Sequence, residues 1–133
     1  MDVSIKKDKT KVNAEVPPVL RNAMQSRATM LRLPLVTVVA AALSWFVDHD
    51  AYDELPASLI DAKNLPDIPS NFPRTLTIDL SSELVDQLDL IVGGGRHGSD
   101  RSAVIRTALC SYLSACGMML KTTLTSPHHL MNI

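Results

Sequence analysis

Thr75-Leu76-Thr77-Ile78-Asp79-Leu80 alternates polar and apolar residues at period two, which predicts a strand with one dry face. Ser81-Ser82-Glu83 follows, supplying a hydroxyl able to cap a helix and an acid for its first turn. Leu84, Val85, Leu88, Ile91 and Val92 then recur at helical spacing, and Gly93-Gly94-Gly95 with Gly98 ends that helix. Asp100 can cap a further helix whose stripe is Val104, Ile105, Ala108, Leu109, Tyr112 and Leu113, closed by Gly117. Residues 74–117 therefore predict strand, helix, helix.

The same order recurs earlier in the chain. Val12-Asn13-Ala14-Glu15-Val16 alternates in the same sense, Pro17-Pro18 suits a helix start, and Leu20, Met24 and Ala28 carry the helical period. Pro34 opens a second helix with the stripe Val38, Val39, Ala42, Leu43 and Phe46. The strands align at an offset of 64, which pairs Leu20 with Leu84 and Met24 with Leu88. The second helices align at an offset of 66, pairing Leu43 with Leu109 and Phe46 with Tyr112. The two-residue difference falls in the turn between helices, where length changes cost little. The pattern predicts two degenerate copies of one unit, residues 11–47 and 74–117.

One short strand and two helices make too small a core to stand alone. Pairing the copies solves this, giving a mainly α fold with a two-stranded antiparallel ribbon above four helices, an intramolecular pseudo-dimer. Val12, Ala14, Val16, Leu76, Ile78 and Leu80 would face the core, leaving Lys11, Asn13 and Glu15 beside Thr75, Thr77 and Asp79 outside. A two-stranded ribbon fits the DNA major groove, about 12 Å wide, where short polar side chains meet base edges. The plainer reading of that outward set is a solvated sheet face.

Charge sharpens the organisation. The whole chain, 133 residues with 13 Lys+Arg against 14 Asp+Glu, would by its average speak against a nucleic-acid partner. Partitioned, residues 1–47 hold seven basic against three acidic residues, residues 48–73 hold one against six, and residues 74–133 balance. The middle block also carries Pro56, Pro66, Pro69 and Pro73. It reads as an acidic linker with a short helical turn near 58–62, lying away from any groove. Residues 1–10 read as a basic arm, either solubilising or tracking phosphate, and residues 118–133 as a tail. With 46% hydrophobic but only 4% aromatic residues, the core must be aliphatic.

At this point the sequence resembles a known family. RTLTIDLSSELVDQLDLIV followed by GSDRSAVIRTALCSYL is similar to the ribbon-helix-helix DNA-binding proteins of the Arc and MetJ repressor superfamily. The likeness covers residues 74–116 closely and 11–47 more loosely. With both copies in one chain, the layout is most similar to the accessory virulence proteins of T-DNA border processing and transfer. The resemblance implies groove reading by Lys11, Asn13, Glu15, Thr75, Thr77 and Asp79. It also implies a phosphate clamp at the start of the second helix, at Asp100, Arg101 and Ser102 in one copy and at Pro34, Leu35 and Val36 in the other. The second clamp departs from the family, because proline has no N–H and no hydroxyl is present. Glu15 and Asp79 depart too, since an acid meets phosphate unfavourably unless it accepts from cytosine N4. Strong sequence-specific readout is therefore not expected. Lys6, Lys7, Lys9, Arg74 and Arg101 would supply affinity that depends little on sequence.

Other features carry blander readings. Cys110 and Cys116 lie six apart, cannot pair within one helix, and predict a reducing compartment. The longest apolar run, Leu33 to Val47, falls short of the roughly twenty residues of a membrane span. The start MDVSIKKDKTK has no apolar core of a secretory signal. A cytoplasmic protein with no membrane partner is expected. His128-His129 cannot face one metal ion from a helix or strand, His97 reads as a solvated turn residue, and Trp45 as packed under the linker. No HExxH, GxSxG or credible Cys–His pair occurs, so neither an enzyme, a metal nor a cofactor is expected. The expected function is a double-stranded DNA-binding accessory protein, monomeric, assisting relaxase-type processing and T-DNA transfer within a protein complex. The alternatives are a ribbon-helix-helix transcriptional repressor and an antitoxin-like protein-interaction module.

Overall fold

A computed structural model of the chain describes residues 9–51, 60–65, 74–95, 97–98 and 100–117. Its elements run β1 (Lys9–Glu15), α1 (Pro18–Leu31), α2 (Leu35–Ala51), β2 (Thr75–Ser81), α3 (Ser82–Gly94) and α4 (Arg101–Ala115). The fold is mainly helical with one two-stranded antiparallel sheet. Lys9 pairs with Ser81, Lys11 with Asp79, Asn13 with Thr77 and Glu15 with Thr75. One further bond extends the pairing, from the Val16 N–H to the Arg74 carbonyl at 2.7 Å.

The period-two alternation becomes two faces of this sheet. Val12, Ala14 and Val16 are buried with Leu76, Ile78 and Leu80, and their neighbours on β1 and β2 point the other way. The buried face lies on the helices. Leu20, Met24 and Ala28 of α1, the α2 stripe Val38, Val39, Ala42, Leu43 and Phe46, and Val85 and Leu88 of α3 join one cluster. Val104, Ile105, Ala108, Leu109 and Leu113 of α4 complete it, with Leu84, Ile91, Val92 and Tyr112 partly buried at its edge. Helix α4 is the hub, packing against α2, α1, α3 and β1. Each fully buried Leu, Ile, Val or Phe contributes about 1.5–3 kcal/mol relative to exposure.

Local signals set the element ends. Ser81 caps α3 by accepting from the Leu84 N–H at 3.2 Å, and Asp100 caps α4 by accepting from Ala103 at 2.8 Å. Pro17 and Pro34 precede α1 and α2, where a missing N–H costs nothing. Helix α3 runs through Gly93 and Gly94 and stops at Gly95, whose φ of 72° is left-handed. Gly98 (φ 138°) is required by a close approach, since a Cβ there would sit 2.4 Å from that of Ala103.

Several boundaries differ from the sequence reading. β1 starts at Lys9, inside the expected basic arm, because Lys9 and Lys11 continue the outward alternation. α2 runs to Ala51, into the expected linker. Nothing between 48 and 51 breaks a helix, and His49 stacks on Trp45, ring centroids 4.6 Å apart. Within 60–65 the chain makes a turn centred on Asp61 rather than a helical turn near 58–62, of which residues 58 and 59 lie outside the described residues. The Asp61 carboxylate accepts from the Lys63 N–H at 3.0 Å and the Asn64 amide at 2.7 Å. Those bonds, Asn64 first, hold its pKa below the usual carboxylate value. Ile60, Ala62 and Leu65 pack against the core, so this part of the connector is docked.

One side chain departs from its expected surroundings. His97 is not a solvated turn residue. Its Nε2 lies 2.8 Å from Asp50 Oδ1, its ring meets Phe46 edge-on at 5.1 Å, and its side chain is 19% exposed. Trp45 packs edge-on against Tyr112 at 6.0 Å, joining α2 to α4. Arg27 covers the same tyrosine from α1, donating from Nε to its hydroxyl at 3.3 Å. That bond is the main reason the guanidinium holds its proton more firmly than usual. Among the described residues no single helix is long and apolar enough to cross a membrane.

Candidate nucleic-acid interface

The alternation that buries one face of the ribbon presents the other. Lys9, Lys11, Asn13 and Glu15 of β1 and Thr75, Thr77, Asp79 and Ser81 of β2 are all exposed on it. All six outward ribbon residues expected from sequence are thus brought onto one surface. At its centre the Thr77 hydroxyl donates to Asn13 Oδ1 at 2.7 Å. That bond leaves the Asn13 amide hydrogens and the Thr77 oxygen lone pairs for other partners. Towards one end Lys11 Nζ lies 3.8 Å from Asp79 Oδ1, with side chains 68% and 62% exposed. An ion pair this open is worth about 0–1 kcal/mol and yields readily to a competitor.

The other end of the ribbon is tied to α4. The Ser102 hydroxyl accepts from the Glu15 N–H at 3.0 Å, and Arg106 Nη1 donates to the Glu15 carbonyl at 3.1 Å. The start of α4 therefore sits against the end of β1, and Arg74 lies beside it at the start of β2. The expected clamp residues Asp100, Arg101 and Ser102 are all here, with their polar groups engaged. Asp100 caps the helix, Ser102 holds Glu15, and Arg101 grips Asp89 of α3 with two bonds of 2.9 and 2.8 Å. The Asp89 bonds hold the Arg101 proton more firmly than usual. A phosphate arriving here would share or displace a carboxylate that already matches the guanidinium fork.

The start of α2 differs. Pro34 and Val36 are exposed and Leu35 is half-buried, with Met30, Leu31 and Leu33 exposed just before them. This turn is apolar where the α4 start is polar. Lys6 and Lys7 lie outside the described residues, as do the tail with His128 and His129 and most of the acidic linker. Arg106 was not among the sequence candidates. It follows Ser102 by four residues on α4, so helical spacing alone places it on the same face. Among the described residues no three His, Cys, Asp or Glu side chains converge as metal ligands. An open cleft of about 370 Å³ lies between the 60–65 segment and α4.

Comparison of the chain with family models, with curated proteins and with solved structures finds no match.

Proposed function

We propose that this chain is a double-stranded DNA-binding accessory protein, a single-chain ribbon-helix-helix pseudo-dimer that lays its ribbon in the major groove. The observation that carries the reading is the exposed polar ribbon over four helices. It is two strands wide, has polar or charged side chains along its outward face, and is backed by an inward face that is apolar but for Thr10. The register supports the tandem arrangement. Asn13 lies opposite Thr77, and these two residues are separated by the same 64 positions that align the two strands in sequence.

Affinity would come first from phosphates, contacted by Lys6, Lys7, Lys9, Arg74 and Arg101, and base preference from the ribbon. The role in relaxase-type processing and T-DNA transfer rests on the likeness of the single-chain tandem layout alone. The test is binding to several unrelated duplexes across a salt series. About five phosphate contacts give a log–log slope near −4.5. An accessory protein shows that slope on every duplex with small differences in affinity. A repressor instead prefers one site by about 10³–10⁷. No binding at low salt overturns both and leaves the protein-interaction module. Arg101→Ala should weaken all duplexes alike, and a loss confined to one sequence contradicts its phosphate role.

A further inference from the structure

We infer that the ribbon reads double-stranded DNA with a polarity, favouring a non-palindromic sequence bound in one orientation. The inference rests on the DNA-binding reading above. In a symmetric two-chain ribbon every outward residue occurs at both ends, so the preferred site repeats itself inverted. Here the register centres on Asn13 opposite Thr77. A half-turn about that centre exchanges Lys11 with Thr75, a cation with a neutral hydroxyl, while Glu15 and Asp79 exchange one carboxylate for another.

The two ends offer different chemistry to a groove. One end carries Lys9 and Lys11, donors only, with Asp79 loosely held 3.8 Å from Lys11. Lysine suits the O6 and N7 acceptors of guanine. The other end carries Glu15 and Thr75, an acceptor and a hydroxyl that both donates and accepts. Glu15 is also anchored there, its backbone N–H bonded to Ser102 and its carbonyl to Arg106. A carboxylate carried on that anchored backbone repels phosphate and accepts from cytosine N4, so it penalises the bases Lys11 prefers. The centre is asymmetric as well, since Thr77 donates and the Asn13 carbonyl accepts. Turning the protein end for end on a fixed sequence therefore changes the partners of the base edges that face Lys11, Thr75, Asn13 and Thr77.

The test is selection from a pool of random duplexes by the whole protein at low salt, followed by sequencing of the retained DNA. A motif whose two halves differ is expected. Lys11→Thr should weaken the selected duplex about 5-fold, the low end of the range for losing one base contact, and relax only one half of the motif. Thr75→Lys should shift the other half towards the first. Both positions are exposed, and circular dichroism shows whether each variant keeps the fold. A palindromic motif overturns the polarity, and so does a retained pool with no enriched sequence. In both cases the DNA reading stands. Retention of no duplex overturns the DNA reading itself and the polarity with it.

Discussion

Arg32 closes α1 in a left-handed conformation, φ 59° and ψ 43°, with its N–H directed at the Ala28 and Thr29 carbonyls. A side chain with a Cβ is strained there, and glycine is the usual occupant. Arg32→Gly should raise stability by about 0.5–1 kcal/mol, read as a higher midpoint of thermal unfolding, and an unchanged or lower midpoint contradicts the strain. The sequence marks this helix end through Pro34 but not the left-handed residue, since arginine is no signal for it. Cys110 shows the opposite case, a residue whose surroundings follow from its place on the α4 stripe. Burial, first, and the charge of Asp61 push its thiol up to about 12, so it stays protonated and inert at neutral pH. His97 lay beyond sequence reasoning because its partner Asp50 is 47 residues away.

At the scale of elements, caps are the clearest sequence signals because they act over three residues. Asp100 holds the Ala103 N–H at 2.8 Å, and Asp100→Ala should cost about 1 kcal/mol of stability. Chemical denaturation at neutral pH checks this, and a loss near zero would mean that water replaces the cap without penalty. Strand and helix stripes were legible for the same local reason: alternation and helical period need no knowledge of the partner face. What was not legible is how elements grip one another through polar groups. The Arg101–Asp89 fork between α4 and α3, and the Ser102 and Arg106 bonds to the Glu15 backbone, join residues 12 to 91 positions apart. The family resemblance implied a phosphate contact for Arg101, and the carboxylate already on it is what a phosphate would have to compete with.

At the scale of the molecule, the described residues form one hydrophobic cluster, drawn from both halves of the chain. Phe46 is fully buried within it, so Phe46→Ala should cost about 3–5 kcal/mol, a large share of the 5–15 kcal/mol typical of a domain. Because the halves share their core, they should unfold together. Trp45 sits on α2 against Tyr112 of α4, so its fluorescence reports the contact between halves. Its transition should coincide with that of far-UV circular dichroism in the parent protein and in Phe46→Ala. Two separate transitions would mean that each half holds a core of its own.

The sequence by itself determined which residues are dry. Every inward strand residue and most helical stripe residues it marked are buried, with Leu84, Ile91, Val92 and Tyr112 at the edge, because burial follows a period that the backbone geometry imposes locally. It also determined that the outward ribbon residues are polar and that one helix start, at Pro34, carries no hydroxyl. Only the tertiary structure decided the register. That register sets Lys11 against Asp79 and Glu15 against Thr75, and joins Thr77 to Asn13 across the centre. Pairing depends on how two distant strands settle over a shared core, and a slip of one residue would turn both faces inside out. The opening alternation foretold a ribbon with a wet face; the fold determined that its two ends differ.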